Sequence, residues 1–215
     1  MPTAYDPSTD HSDHAGAAPA AGRKRPKPGE RREQILQALA QMLQQPGAER
    51  VTTAALAARL GVSEAALYRH FASKAQMFEA LIDFIESSVF GLIGQISERE
   101  TDGRARAARI VAMVLQFGER NPGMARVMAG DALVLEHERL QQRMNQLFDK
   151  LEAALRQGLR TAAAGGPATP TPDADAQVTA SVLAAFTAGR LQRFARSGFR
   201  RAPTEQLDAC IARML

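Results

Sequence analysis

The stretch Thr52-Thr53-Ala54-Ala55-Leu56-Ala57-Ala58-Arg59-Leu60-Gly61-Val62-Ser63-Glu64-Ala65-Ala66-Leu67-Tyr68-Arg69-His70-Phe71 holds two short runs with helical apolar spacing, 53–60 and 64–70, parted by Gly61-Val62-Ser63. Ala57 is small where the two helices would cross, and Gly61 permits the tight backbone of a turn. Leu56, Leu60, Val62, Leu67 and Phe71 supply the apolar contacts that set the angle between them. Thr52 or Thr53 ahead of the first run, and Ser63 ahead of the second, offer side-chain oxygens to free N–H groups. The pattern predicts a helix-turn-helix.

In such a unit the second helix enters the major groove of DNA, early side chains toward base edges and later ones toward the backbone. Here it opens Glu64-Ala65-Ala66. The alanines permit close approach and methyl contact with thymine but donate no hydrogen bonds, so base reading falls to Thr53, Ser63, Glu64, Arg69 and DNA shape. Tyr68, His70 and Lys74 are placed for phosphates, and the caps Thr52 and Ser63 direct N–H groups toward them. For Tyr68 simple packing is the competing reading; Phe71 is read as packing. The expected partner is double-stranded DNA.

Upstream, residues 29–45 form a first helix with Ile35, Leu36, Leu39, Met42 and Leu43 on one face, ended by Pro46-Gly47. Residues 1–28 have almost no large apolar side chains and are expected to be disordered. Six cations (Arg23, Lys24, Arg25, Lys27, Arg31, Arg32) stand against the single acid Glu30, which suggests a phosphate-tracking arm, with a solubilising tail as the alternative. His11 and His14 lack further ligands for a metal.

Downstream, Ser73 with Gln76 opens a long helix whose buried face reads Phe78, Leu81, Ile82, Ile85, Val89, Leu92, Ile93 and Ile96. Asp102-Gly103 breaks it, and Ile110, Val111, Val114 and Leu115 mark the next. Asn121-Pro122 reads as a cap followed by proline at the first helical position. The run Leu140, Met144, Leu147, Phe148, Leu151, Leu155, Leu159 gives an amphipathic helix with coiled-coil character. Ala162 to Pro172 reads as a linker, a further helix spans about 173–197, and Thr204 is placed to cap a last one. That penultimate helix mixes Ala180, Ser181, Ala184, Ala185, Ala188 and Gly189 with Val178, Val182, Phe186, Leu191 and Phe194, which suits close packing in a twofold homodimer. No period-2 segment suggests a strand. The fold class is therefore all-α, with a basic arm over 1–28, a helix-turn-helix domain over 29–89 and a helical dimerisation and partner-binding core over 90–215.

Composition excludes other classes. The one cysteine, Cys210, cannot form an intrachain disulfide, and no leader-like N-terminus is evident, so a cytoplasmic location is expected. The longest apolar stretch, Ile110 to Phe117, is far short of the roughly 20 residues a spanning helix needs. No phosphate loop, dinucleotide glycine pattern, ligand-spaced Cys/His set or nucleophile with a base marks an enzyme, and no cofactor is expected. His137, between Glu136 and Glu138, reads as part of a solvated charged face.

Four helices in this order, Tyr68-Arg69-His70-Phe71 closing the third and Ser73-Lys74 opening the fourth, resemble the TetR family over residues 29–89. Arg31-Arg32-Glu33-Gln34-Ile35-Leu36-Gln37, Val62 to Phe71, Phe117-Gly118-Glu119-Arg120-Asn121-Pro122-Gly123 and Asn145-Gln146-Leu147-Phe148 extend the likeness to its nucleoid-occlusion branch, over most of 29–200. That resemblance implies a nucleoid-associated dimer that binds scattered chromosomal operators and antagonises polymerisation of the division protein FtsZ. It also implies a site for the FtsZ tail at Phe84, Arg120 and Asn121, with Leu92 standing where the resembled proteins carry a cation. Independently, Phe84 aligns with Met77 and Gly91 one heptad away on either side, so it lines a shallow peptide groove or packs against the DNA-binding unit. Asn121 equally suits a helix cap. The competing function is a ligand-responsive repressor with an apolar pocket in the core.

Overall fold

The computed structural model describes residues 29–45, 50–165 and 172–215. The expectations for residues 1–28, for Pro46-Gly47 and for residues 166–171 of the linker lie outside the described residues. Among those described, every regular element is helical: α1 (Glu30–Leu43), α2 (Thr53–Leu60), α3 (Glu64–Tyr68), α4 (Lys74–Arg99), α5 (Gly103–Arg120), α6 (Pro122–Met128), α7 (Glu138–Gly165), α8 (Pro172–Arg196) and α9 (Leu207–Met214), with a 3₁₀ turn at Asp131–Leu133.

Each early boundary has a local cause. The Thr52 side chain accepts from Ala55 N, Ser63 from Ala66 N, Ser73 from Gln76 N and Asp102 from Ala105 N, so four helices start on a side-chain cap. Gln76 also returns its Oε1 to the N–H of Ala72 at 2.9 Å, a reciprocal arrangement one residue away from the usual capping box. Gly61 closes α2 in the left-handed region with φ 64°, a conformation in which a β-carbon is strained.

The direction of each core helix follows from its contacts. α7 starts beside the start of α4, where Glu136 pairs with Lys74 and Arg139 with Glu79 at 2.7 Å. It then climbs alongside α4, Arg143 meeting Asp83 and Glu86 at 2.7 and 3.1 Å and Lys150 meeting Glu86. α8 begins at the far end, where Asp173 pairs with Arg160 of α7 at 2.7 Å, and descends until Leu191 lies against Gly118 near the end of α5. There α6 packs against α8 on one side and α1 on the other. A β-carbon on Gly123 would fall 2.0 Å from the carbonyl oxygen of Ala40, so α6 and α1 touch backbone to backbone. The last turns of α5 and α8 thus share the end of the core that carries the helix-turn-helix. The buried side chains of both parts form one continuous cluster.

Several expectations change. α3 ends at Tyr68 rather than His70. Met77 is fully buried while Leu92 is 38% exposed, so Met77 belongs to the core and Leu92 does not. α7 continues to Gly165, past the expected start of the linker. Thr204 does not cap α9, because its hydroxyl donates to Glu119 of α5 and Gln206 occupies the cap position without a side-chain bond. Asn121 precedes Pro122 as expected, yet its amide turns back to donate to Phe117 O at 2.8 Å, closing α5 instead of opening α6.

Candidate nucleic-acid interface and partner surface

The helix-turn-helix residues fall into three groups. Thr53 and Glu64 come together, the hydroxyl donating to a carboxylate oxygen at 2.6 Å, which ties the start of α2 to the start of α3. Such a pair leaves the second carboxylate oxygen open to a donor such as a cytosine amino group. Thr52 and Ser63 are held as caps, with Ala65 exposed beside them. Arg69 and His70 stand exposed beyond the end of α3, and Tyr68 is 46% exposed. Phe71 is the buried aromatic, at 1% exposed.

Lys74 is differently placed. Its ammonium pairs with Glu136, whose side chain is only 8% exposed, and lies 5.6 Å from the centre of the Phe78 ring. A phosphate reaching Lys74 therefore competes with a carboxylate already in place. Glu136 is no member of a solvated face: it anchors the loop before α7 to the start of α4, with Arg50 Nε also 4.0 Å from the same carboxylate oxygen.

Two further residues escaped the sequence reading. Arg32 sets its guanidinium 4.0 Å over the Phe71 ring and donates to the carbonyl of His70 at 2.8 Å, fastening α1 to the end of the recognition helix. Arg126 of α6 reaches the carbonyls of Leu43 and Gln45 at 3.4 and 3.5 Å, at the end of α1. A long-range arginine-to-carbonyl bond leaves no periodic signal in a sequence.

On the second surface, Phe84 is 51% exposed on α4. Arg120 is exposed at the end of α5 and Asn121 half-buried beside it. α4 and α5 pack against one another, and Phe84 and Arg120 both lie toward the helix-turn-helix end of that pair. The second stripe expected along α4 is reduced, since Met77 is buried and only Phe84 and Gly91 of the three are exposed. Next to Phe84, Glu86 is held below the ordinary carboxylate range by the hydrogen bond from Lys150, against the opposing effect of burial and with help from Arg143. Arg143 is pushed up in turn, first by Asp83.

An exposed second helix on a capped turn, carried at one end of an all-helical core, defines a helix-turn-helix DNA-binding protein of the TetR class. Residues 35–81 match the family model of bacterial regulatory proteins of the tetR family, and residues 101–214 match the SlmA-like model of a tetracyclin repressor-like C-terminal domain. The chain belongs to the TetR family and, within it, to the SlmA proteins. Nucleoid occlusion factor SlmA of Citrobacter koseri is 52% identical over 183 residues, covering 83% of this chain and 90% of that relative. Its counterpart in Photobacterium profundum is 51% identical over 180 residues, with the same coverage. Among solved structures, FadR from Bacillus subtilis in complex with stearoyl-CoA aligns over 85% of this chain and 96% of that one, with a TM-score of 0.65 at 12% identity. A TetR-like regulator from Rhodococcus sp. RHA1 gives 0.65 at 18% identity, over 85% and 94%. At such identities the likeness is one of fold.

Proposed function

We propose that this chain is a nucleoid occlusion factor: a homodimer that binds chromosomal operators and, while bound, antagonises FtsZ assembly, so that no septum forms over the nucleoid. The observation that carries the reading is its 52% identity with a nucleoid occlusion factor over 183 residues, a span that takes in both the helix-turn-helix and the core. Base reading is assigned to Thr53, Ser63, Glu64, Ala65 and Arg69. Phosphate contact is assigned to Thr52, Tyr68, His70 and, by exchange with Glu136, Lys74.

The dimer contact is assigned to α8, where Val178 and Val182 are 64% and 48% exposed and Ser181, Ala185 and Gly189 continue the same face. An apolar stripe with small residues lets two helices approach closely. One copy's α8 on its partner's would set the two recognition helices against half-sites about one DNA turn apart.

Phe84, Arg120 and Asn121 are assigned to the FtsZ tail. An exposed guanidinium takes a carboxylate and an exposed aromatic ring takes an apolar side chain, a combination suited to a short acidic and apolar peptide. Light scattering of FtsZ polymers, with the protein alone and with operator duplex, tests the function. Inhibition that requires operator is expected; none at any operator concentration returns the chain to an ordinary ligand-responsive repressor.

A further inference from the structure

Five arginines meet where α8 turns toward α9. Arg190, Arg193 and Arg196 occupy the last two turns of α8, and Arg200 and Arg201 follow Gly198 in the connection. Arg190, Arg193, Arg200 and Arg201 line a single cleft of about 590 Å³ whose one carboxylate is Glu205. Some bases of the core are matched to acids, as Arg109 is to Glu100 and Arg160 to Asp173. Among the described residues none of these five forms an ion pair. Arg190 lies over the Phe186 ring and donates to Cys210 Sγ, and Arg200 Nε donates to Ser197 O, contacts that hold position without neutralising charge.

The corner has a defined shape. Ser197 Oγ accepts from the backbone N–H of Arg200 at 3.1 Å and of Arg201 at 2.9 Å. Phe199 sits in the left-handed region with φ 64°, costly for a bulky residue, and its ring meets that of Phe194 edge-on at 5.2 Å. Like charges gathered on such a scaffold repel one another, and an anion relieves them.

Position identifies the anion. α8 descends to the end of the core that carries the helix-turn-helix, with Leu191 against Gly118 and α6 bridging to α1. Arg193 lies one turn beyond Gly189, so a twofold along the stripe Val178 to Gly189 sets the corners of two copies side by side between the recognition helices. We propose that Arg193, Arg196, Arg200 and Arg201 engage the phosphates of operator DNA between its half-sites, a second and sequence-independent contact. This rests on α3 reading DNA and on the dimer through α8.

The test is fluorescence anisotropy of the full chain on operator and scrambled duplexes across a salt series. Each lost phosphate contact lowers the slope of log Kobs against log salt by about 0.9, so Arg200→Ser with Arg201→Ser, four guanidinia per dimer, is expected to lower it by about 1 to 4 on both duplexes alike. Arg200→Lys with Arg201→Lys should restore it. If the serine variant melts early, Arg201→Gln alone, whose side chain forms no hydrogen bond or ion pair with a described residue, gives the same reading. Tyr68→Ala is the control for α3: if it weakens operator binding while the serine variant keeps the parental slope, the corner proposal is overturned and the DNA reading stands. If neither variant changes binding, the DNA reading itself fails. A serine variant with unchanged slope that has lost binding to an FtsZ tail peptide or to anionic vesicles also overturns the proposal.

Discussion

Two glycines that look alike in the sequence have opposite surroundings. At Gly123 a β-carbon would collide with the Ala40 carbonyl at 2.0 Å, a backbone atom that cannot rotate away. At Gly189 nothing lies within 4 Å. Gly123→Ala is expected to cost about 1–3 kcal/mol, as overpacking does, and to lower the melting temperature. Gly189→Ala should leave the melt of the monomer fold intact, and equal melts for the two variants would contradict the α1–α6 contact. Lys74 offers a second prediction at this scale, because its partner Glu136 neutralises a cation assigned to phosphate. Glu136→Gln frees that ammonium, so the salt slope of DNA binding should steepen by about 0.9 for each additional phosphate engaged, even as the α4–α7 junction weakens. An unchanged slope would remove Lys74 from the interface.

At the scale of elements, α4 and α7 are fastened by a ladder of acids and bases, Glu79, Asp83 and Glu86 facing Arg139, Arg143 and Lys150. Glu86 has its pKa lowered in the fold, chiefly by Lys150. A depressed carboxylate contributes stability above its unfolded pKa of about 4.3 and loses it as pH falls through the lower folded value. Melts recorded from pH 6 down to pH 3 should therefore show a smaller acid-induced drop for Glu86→Gln than for the parent. The difference at pH 6 should be under about 1 kcal/mol, since the pairs are partly solvated. A drop of equal size in both proteins would place the acid sensitivity elsewhere. On α8, Ala185→Glu or Gly189→Glu puts a charge on the exposed stripe where the monomer has room for it. Sedimentation should show monomers with weakened operator binding; an unchanged dimer would put the interface on another face.

Across the whole molecule the two assigned activities lie on different elements joined through one core. Arg120 is exposed at the end of α5, an element distant in sequence from α3, so Arg120→Asp is expected to change operator affinity by less than about threefold, roughly 0.6 kcal/mol. FtsZ inhibition should be lost. Tyr68→Ala should do the reverse to DNA binding while leaving affinity for an FtsZ tail peptide in place. Loss of both by Arg120→Asp would mean that this residue supports the α5–α6 corner, where Asn121 closes the helix on Phe117, rather than a partner.

The sequence alone was enough for whatever is local or periodic. Ser63 and Ser73 announce their helices because a cap acts within three residues, and Ile110, Val114 and Leu115 declare a buried face because a helix repeats every 3.6. The helix-turn-helix was legible for the same reason. Contacts between distant segments were not. Arg32 over Phe71, Glu136 against Lys74 and Thr204 on Glu119 depend on which helices become neighbours. So does the arginine corner, since only the descent of α8 onto α5 and α6 brings its charges to the end of the core that carries the helix-turn-helix. Side chains that could cap, solvate or pair are committed by the packing of the helices, because a polar group enclosed by the core takes whichever partner the neighbouring helix presents.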